Sequence, residues 1–375
     1  MLYLLLYPLA DKIALFNVLR YPTFRMLAAG LTAMLLGLFM GPRFIEALRV
    51  MQYGVDNVRE DTPESHKKKG TPSMGGLLLL FCLGAGVLLF ADLTSRLVWS
   101  ALVITFGFGG IGFIDDWLKY KKRNSKGLAG KKKLALQAAI FLGVMLFAFA
   151  DFHHGNGAAP HLAIDTRLTI PFVKVARFHL DLGWFYLVFA FFLIVGTSNA
   201  VNLTDGLDGL AIGPTIVSAV TFMLLAYLSG LVLKGFNVAD YLLIPHIDGA
   251  SELAVFGASL AGAGIAFLWF NCHPAEMFMG DVGSLAIGGA LGSLAMLTKN
   301  EVDSAIIHGV FLAETLSVMI QVFWFKRTGG KRIFLKAPLH HHFEEAGVPE
   351  TKIVVRFWIT SIFLALVALA SIKLR

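Results

Sequence analysis

Five polar groups in an otherwise apolar chain have the residue types and spacing to do chemistry. Asp115 and Asp116 close an apolar run from Leu97 to Ile114. Asn199, Asn202 and Asp205 are spaced by three and share a helical face until Gly206 interrupts it, and Asp208 follows. Asp281 lies in the glycine-rich segment Phe278-Met-Gly280-Asp281-Val-Gly283-Ser284, and His340, His341 and His342 precede the last apolar run. The fifth group is the stretch from Lys67 to Gly76. Ionised carboxylates at the edge of a membrane are costly and mark functional sites by default.

Each group has a chemistry and a blander alternative. Three carboxylates on different helices suit Mg²⁺, which takes one or two of them with waters and substrate phosphate oxygens. A third would accept a proton or orient a nucleophile. Otherwise the Asp115-Asp116 pair caps a helix end and pairs with nearby lysines. The Asn199–Asp208 segment permits a tight turn carrying donors and acceptors, suited to a base or ribose. Asp208 also fits a plain helix N-cap. Phe278 can stack on a nucleobase or face lipid. The histidines can hold a pyrophosphate or shuttle a proton. Three consecutive histidines on one regular helix cannot face one ion, which argues against zinc. The basic loop Lys119–Lys133 can gather anionic substrates or simply set topology. Lys133, beside the next span, is the lysine singled out. Gly107-Phe-Gly109-Gly-Ile-Gly112 fits a dinucleotide fingerprint but has no strand before it, so it is helix packing.

The elements that position these groups follow from composition. The 375 residues are 57% hydrophobic and 15% charged, with mean hydropathy +0.71. Soluble domains carry about 25% charged residues, so this is an all-α integral membrane protein. The net charge of +7 reports topology and anionic headgroups rather than nucleic acid. Cys82 and Cys272 are too few for a disulfide framework. The N-terminal stretch lacks a basic n-region and cleavage site, and is expected to stay in the mature chain. Ten windows approach the roughly 20 apolar residues of a span: 24–47, 74–91, 97–117, 134–150, 182–201, 209–229, 252–270, 283–298, 305–325 and 355–372. The expected organisation is one polytopic domain over 1–375, with an interfacial helix over 1–23 and a ten-helix bundle over 24–375.

Odd-numbered loops hold nineteen lysines and arginines against six in even-numbered loops. The positive-inside rule then puts the odd loops in the cytoplasm and both termini outside, in the periplasm. All five polar groups fall beside odd loops, as expected for one cytoplasmic cleft. His153 and His154 fall on the other side.

The segments Ser65-His66 through Gly70-Thr-Pro-Ser73-Met-Gly-Gly76, Gly112-Phe-Ile-Asp115-Asp116, Asn199–Leu210, Phe278–Ser284 and Ala337–Phe343 occur in order over nearly the whole chain. In them the chain resembles the polyprenyl-phosphate N-acetylhexosamine-1-phosphate transferases, most closely their muramoyl-pentapeptide branch. Ser73 stands where many relatives carry Thr and keeps the hydroxyl. The resemblance implies ten helices, a homodimer, a bacterial inner membrane location, a cytoplasmic cleft and Mg²⁺ dependence. It implies UDP-N-acetylmuramoyl-pentapeptide as donor and undecaprenyl phosphate as acceptor, with lipid I and UMP as products. It implies Asp281 as the Mg²⁺ ligand, with Asp115 and Asp116 acting on the lipid phosphate or the metal. Asn202, Asp205 and Phe278 would meet the uridine. Asn199, Asp208, Asn271, Gln321, His340 and His341 would line the rest. Cys272-His273 has no assigned role. One rival is a sister enzyme using UDP-N-acetylglucosamine. Another is a transporter of lipid-linked sugar, which would need polar groups towards both faces. A scaffold leaves Asp281 in its glycine-rich turn unexplained.

Overall fold

The computed structural model describes residues 1–51, 70–122, 127–151, 161–162, 165–173, 180–233 and 235–372. Residues 65–69 of the first motif, Arg59, Arg123, Lys126, His153, His154, Lys174, Arg177 and Lys234 lie outside them. Among the described residues there are fourteen α-helices: α1 (Leu2–Leu6), α2 (Pro22–Val50), α3 (Gly76–Phe90), α4 (Arg96–Lys122), α5 (Gly130–Phe149), α6 (Phe185–Thr204), α7 (Ile212–Gly230), α8 (Val238–Leu242), α9 (Ala250–Asn271), α10 (Gly280–Leu297), α11 (Glu301–Ile307), α12 (Gly309–Arg327), α13 (Leu339–Glu345) and α14 (Glu350–Ala370). Three two-stranded ribbons decorate the loops. The fold is that of an all-α integral membrane protein.

Nine of the ten windows overlap one helix each, and 305–325 overlaps two. Among the described residues, nine helices are long and apolar enough to cross a membrane. The tenth, α3, has only 15 residues. At 1.5 Å per residue it reaches about 22 Å, short of a hydrocarbon core about 30 Å thick. The window 305–325 is interrupted: α11 ends at Ile307 and α12 begins at Gly309. Glycine has little helix preference, and here it lies against Leu364. Residues 1–20 form α1 and two 3₁₀ turns (Tyr7–Leu9 and Ala14–Arg20), not one continuous helix.

Small residues explain the centre of the bundle. α9 and α10 are rich in Gly, Ala and Ser and are buried along most of their length. Without large side chains, neighbouring backbones approach closely enough for dispersion to hold helices together in lipid. A Cβ on Gly262 would meet the Gly30 carbonyl of α2 at 2.0 Å, and one on Gly288 would meet Ser198 of α6 at 2.6 Å. α2, α5, α12 and α14 form the periphery and present exposed Leu, Phe, Ile and Val.

The end of the bundle away from the five groups is fastened by buried polar contacts. Arg25 pairs bidentately with Glu252 at 2.5 and 2.6 Å, and Glu252 also accepts from the Asp92 N–H at 2.8 Å. Lys299 and Tyr186 both donate to Glu301, at 2.8 and 2.5 Å. The first residue also lies at this end, against the carbonyls of Leu88 and Leu89.

Candidate active site

Asp115 and Asp116 sit near the C-terminal end of α4, and Asp281 sits in the first turn of α10. An anion is favoured at a helix N-terminus. The two helices touch where Gly112 lies against the Asp281 carbonyl: a Cβ there would stand 2.2 Å from it. The glycines of the supposed dinucleotide fingerprint are therefore packing positions.

The segment from Gly70 to Gly76 fixes the Asp281 turn through its backbone. Pro72 accepts from the Phe278 N–H at 2.8 Å; Gly75 and Gly76 donate to the carbonyls of Phe278 and Met279 at 2.8 and 2.9 Å. Gly280 is left-handed (φ 72°), and a Cβ there would approach Asp116 Oδ2 to 2.6 Å. Only glycine meets both conditions.

Around this junction the three carboxylates come together. Each of Asp115, Asp116 and Asp281 offers an oxygen within 4.8 Å of the others, an arrangement able to hold a metal ion. Two lysines neutralise part of the charge. Lys119 Nζ lies 2.6 Å from Asp115, 3.4 Å from Asp116 and 3.1 Å from Asp281. Lys133 Nζ lies 3.0 Å from Asp115 and 2.8 Å from Asp281. Asp115 Oδ1 also accepts from the Leu128 N–H at 2.5 Å, and Asp116 Oδ2 from the Val282 N–H at 3.1 Å. Asn202 completes the group, donating to Asp281 Oδ1 at 3.0 Å and to Ser284 Oγ at 2.8 Å. Buried acids survive only when paired and hydrogen-bonded in this way. Lys133 lies in this cluster, and so does Lys119, which the sequence left within the basic loop. Lys121, Lys122, Lys131 and Lys132 are exposed.

A second group adjoins the first through the end of α6. Asp205 follows the last turn of α6. His340 lies beside Gly206, where a Cβ would come within 2.3 Å of Nε2. Asp208 is not the N-cap of α7, which is Ala211. Its Oδ2 accepts from the Ala275 N–H at 3.2 Å and lies 3.3 Å from His273 Nδ1. Glu350 approaches the same histidine at 3.8 Å, so His273 joins a set that also could hold a cation. Buried Asn271 clamps two backbones, accepting from Gly209 N–H at 3.1 Å and donating to the Met277 carbonyl at 2.9 Å. Phe278 is half-buried between these two groups in the chain.

The histidines divide as their pairing dictates. His340 and His341 are buried; His341 Nδ1 meets Glu344 at 2.6 Å. His342 accepts from the Leu335 N–H at 3.2 Å and holds the loop. Two other expected site residues are spent on structure. Asn199 bonds to Gln137 at 3.3 Å and the Val195 carbonyl at 2.8 Å, against α5 and within α6. Gln321 uses both ends of its amide on the backbone of Ile333 and Phe334, at 3.0–3.1 Å. It borders a cavity of about 540 Å³ that Lys326, Arg332 and Lys336 also line.

Glu314 was missed by the sequence reading. It lies inside the apolar run of α12, fully buried, and accepts from the His340 backbone N–H at 3.2 Å while meeting Nδ1 at 3.1 Å. Its signal was present, since an acid within a span is itself a functional hypothesis.

Comparisons with known proteins bear on this arrangement. The model of glycosyl transferase family 4 matches residues 98–299. A signature of the phospho-N-acetylmuramoyl-pentapeptide-transferases matches residues 68–80, which include the segment pinning the Asp281 turn. A phospho-N-acetylmuramoyl-pentapeptide-transferase of Anaeromyxobacter sp. (strain Fw109-5) is 62% identical, with all of both chains covered. Those of Myxococcus xanthus and Desulfovibrio desulfuricans are 58% and 50% identical, again over all of both chains.

Proposed function

Because this chain belongs to the phospho-N-acetylmuramoyl-pentapeptide-transferase family, we propose that it transfers phospho-N-acetylmuramoyl-pentapeptide from its UDP carrier to undecaprenyl phosphate. The products are lipid I and UMP, and the step belongs to peptidoglycan biosynthesis. The observation that carries this is the convergence of Asp115, Asp116 and Asp281 with Lys119 and Lys133 at one end of a multi-pass bundle.

The acceptor's phosphate oxygen attacks the sugar-bearing phosphorus, and the bond to the bridging oxygen breaks. Its electron pair leaves with UMP. Such a transfer depends on positioning and charge stabilisation. Lys119 and Lys133 attract the acceptor phosphate and screen it from the carboxylates. Asn202 and Ser284 orient Asp281. Asp115 has its oxygens held by Lys119, Lys133 and the Leu128 N–H, which blunts it as a nucleophile and favours direct attack over a phospho-aspartyl intermediate. The hard oxygen set of Asp115, Asp116 and Asp281 fits Mg²⁺, with Asp281 as its principal ligand. When bound, Mg²⁺ supplies Lewis-acid stabilisation to the diphosphate and the leaving UMP. Asp205, Asp208, Asn271 and Phe278 form the nucleotide side of the cleft, with His340 and His341 between nucleotide and sugar.

The chain works as one domain and as a homodimer in the bacterial inner membrane, with this end facing the cytoplasm and both termini periplasmic. The charge bias of the loops supports that orientation.

The test is UMP release by the purified protein in detergent with undecaprenyl phosphate and Mg²⁺. UDP-N-acetylmuramoyl-pentapeptide and UDP-N-acetylglucosamine are supplied separately. Release with the first alone is expected. Release with the second alone moves the chain to the sister chemistry. Release with neither, from folded protein, overturns the enzymatic reading in favour of transport.

A further inference from the structure

His340 is held on one side only. Its Nδ1 meets Glu314 Oε2 at 3.1 Å, and its backbone N–H donates to Glu314 Oε1 at 3.2 Å. Both residues are buried. The carboxylate thus grips ring and backbone together and leaves the imidazole no freedom to flip. An ionised carboxylate only accepts, so pairing with one requires the proton on Nδ1. The other nitrogen, Nε2, is buried and has no hydrogen-bond partner among the described residues. It faces Gly206 in the Asp205-Gly206 turn, where even a methyl group would come within 2.3 Å. The neighbouring histidine has a separate attachment. His341 stands 4.2 Å away between centroids, tilted by 55°, and its own Nδ1 is taken by Glu344 at 2.6 Å.

We propose that Glu314 is a positioning residue: it fixes His340 with Nδ1 protonated, so that Nε2 is the atom the histidine turns towards the transferring nucleotide. The inference rests on the transferase reading and deepens it. A base or donor oriented by a third group recurs wherever one ring nitrogen must work and the other must be held. Glu314 itself touches no substrate. It acts from within α12, on the Nδ1 side of the imidazole, opposite the nitrogen that faces Gly206.

The experiment uses the full chain in detergent with ¹⁵N-labelled histidine. The His340 resonances are identified by their loss in His340→Gln. In the unsubstituted protein His340 is expected to carry its proton on Nδ1. In Glu314→Gln, whose amide can also donate, the Nδ1–H signature should be lost or mixed. There kcat for UMP release should fall about a hundredfold with KM for the nucleotide within about threefold, since a mispositioned tautomer affects turnover more than binding. Glu314→Asp keeps the acceptor and the tautomer and should recover part of kcat. Wild-type kcat in Glu314→Gln, or lost activity with the His340 tautomer unchanged, overturns the proposal. Should Glu314→Gln not fold, Glu314→Asp decides: a wild-type kcat or a changed tautomer overturns it. Absence of UMP release from the unsubstituted protein would instead overturn the transferase reading, while the tautomer would still report on Glu314.

Discussion

Replacing Gly112 with alanine tests whether backbone contact between α4 and α10 sets the position of Asp281. The added Cβ would stand 2.2 Å from the Asp281 carbonyl oxygen, 2.4 Å from its carbon and 2.6 Å from Val282 Cα. All three atoms are backbone, so no side chain can swing aside. Restoring ordinary contact at 3.4 Å requires about 1.2 Å of separation, the difference between 3.4 and 2.2 Å. That displacement falls on the turn carrying Asp281 and pulls it from Asp115, Asp116 and Lys133. A misplacement of about 1 Å can lower turnover about a hundredfold, and overpacking of this kind costs about 1–3 kcal/mol of stability. UMP release with the pentapeptide nucleotide measures the first effect, and thermal unfolding in detergent the second. Gly110→Ala is the control, because a Cβ there meets nothing within 4 Å. It should match the unsubstituted protein. Gly112→Ala with kcat within twofold of the parent would refute the argument that this contact positions the carboxylate.

Other substitutions probe the same arrangement. Asp281→Asn keeps an acceptor for Asn202 but removes the charge, and should abolish turnover; parental rates with Mg²⁺ would refute the proposed metal-binding role of Asp281. Lys133→Met leaves Asp115 and Asp281 sharing Lys119 alone, and kcat/KM should drop about tenfold or more; an unchanged value would return Lys133 to the solvated loop. Arg25→Met strands the buried Glu252 carboxylate, far from the site, and should cost about 3–5 kcal/mol, whereas Arg25→Met with Glu252→Leu should recover much of it. Equal unfolding midpoints for the single variant and the parent would show that this pair does not fasten the bundle.

Hydropathy made the ten helices legible, because each apolar window carries a membrane-length or near-membrane-length signal of its own. Charges at span ends likewise exposed Asp115, Asp116 and Asp281. What sequence could not show was which backbone touches which. Gly70–Gly76 reads as a polar motif, yet its described work is to pair with Phe278 and Met279. Asn199 shares a helical face with Asn202, but Gln137 on α5 competes for it. Gln321 looked available for substrate until the fold placed Ile333 and Phe334 against it. Glu314 is inconspicuous in the sequence because it lies inside an apolar span and not at its end. The break at His308 is hidden because hydropathy does not register a one-residue interruption between two helices.

The shortness of α3 has a consequence for the lipid around it. Where α3 can meet lipid, at exposed Phe81 and Leu88, a helix of about 22 Å in a hydrocarbon slab of about 30 Å is in negative hydrophobic mismatch, and the bilayer there is expected to thin. The turn that begins α3 also pins, through its backbone, the turn that carries Asp281. The headgroup plane is then expected to dip towards the carboxylates, bringing a phosphate that rides on a long isoprenoid to their depth. Bilayer thickness then becomes a control on the reaction: bilayers of short acyl chains should accommodate the dip readily, and thick, stiff ones should resist it.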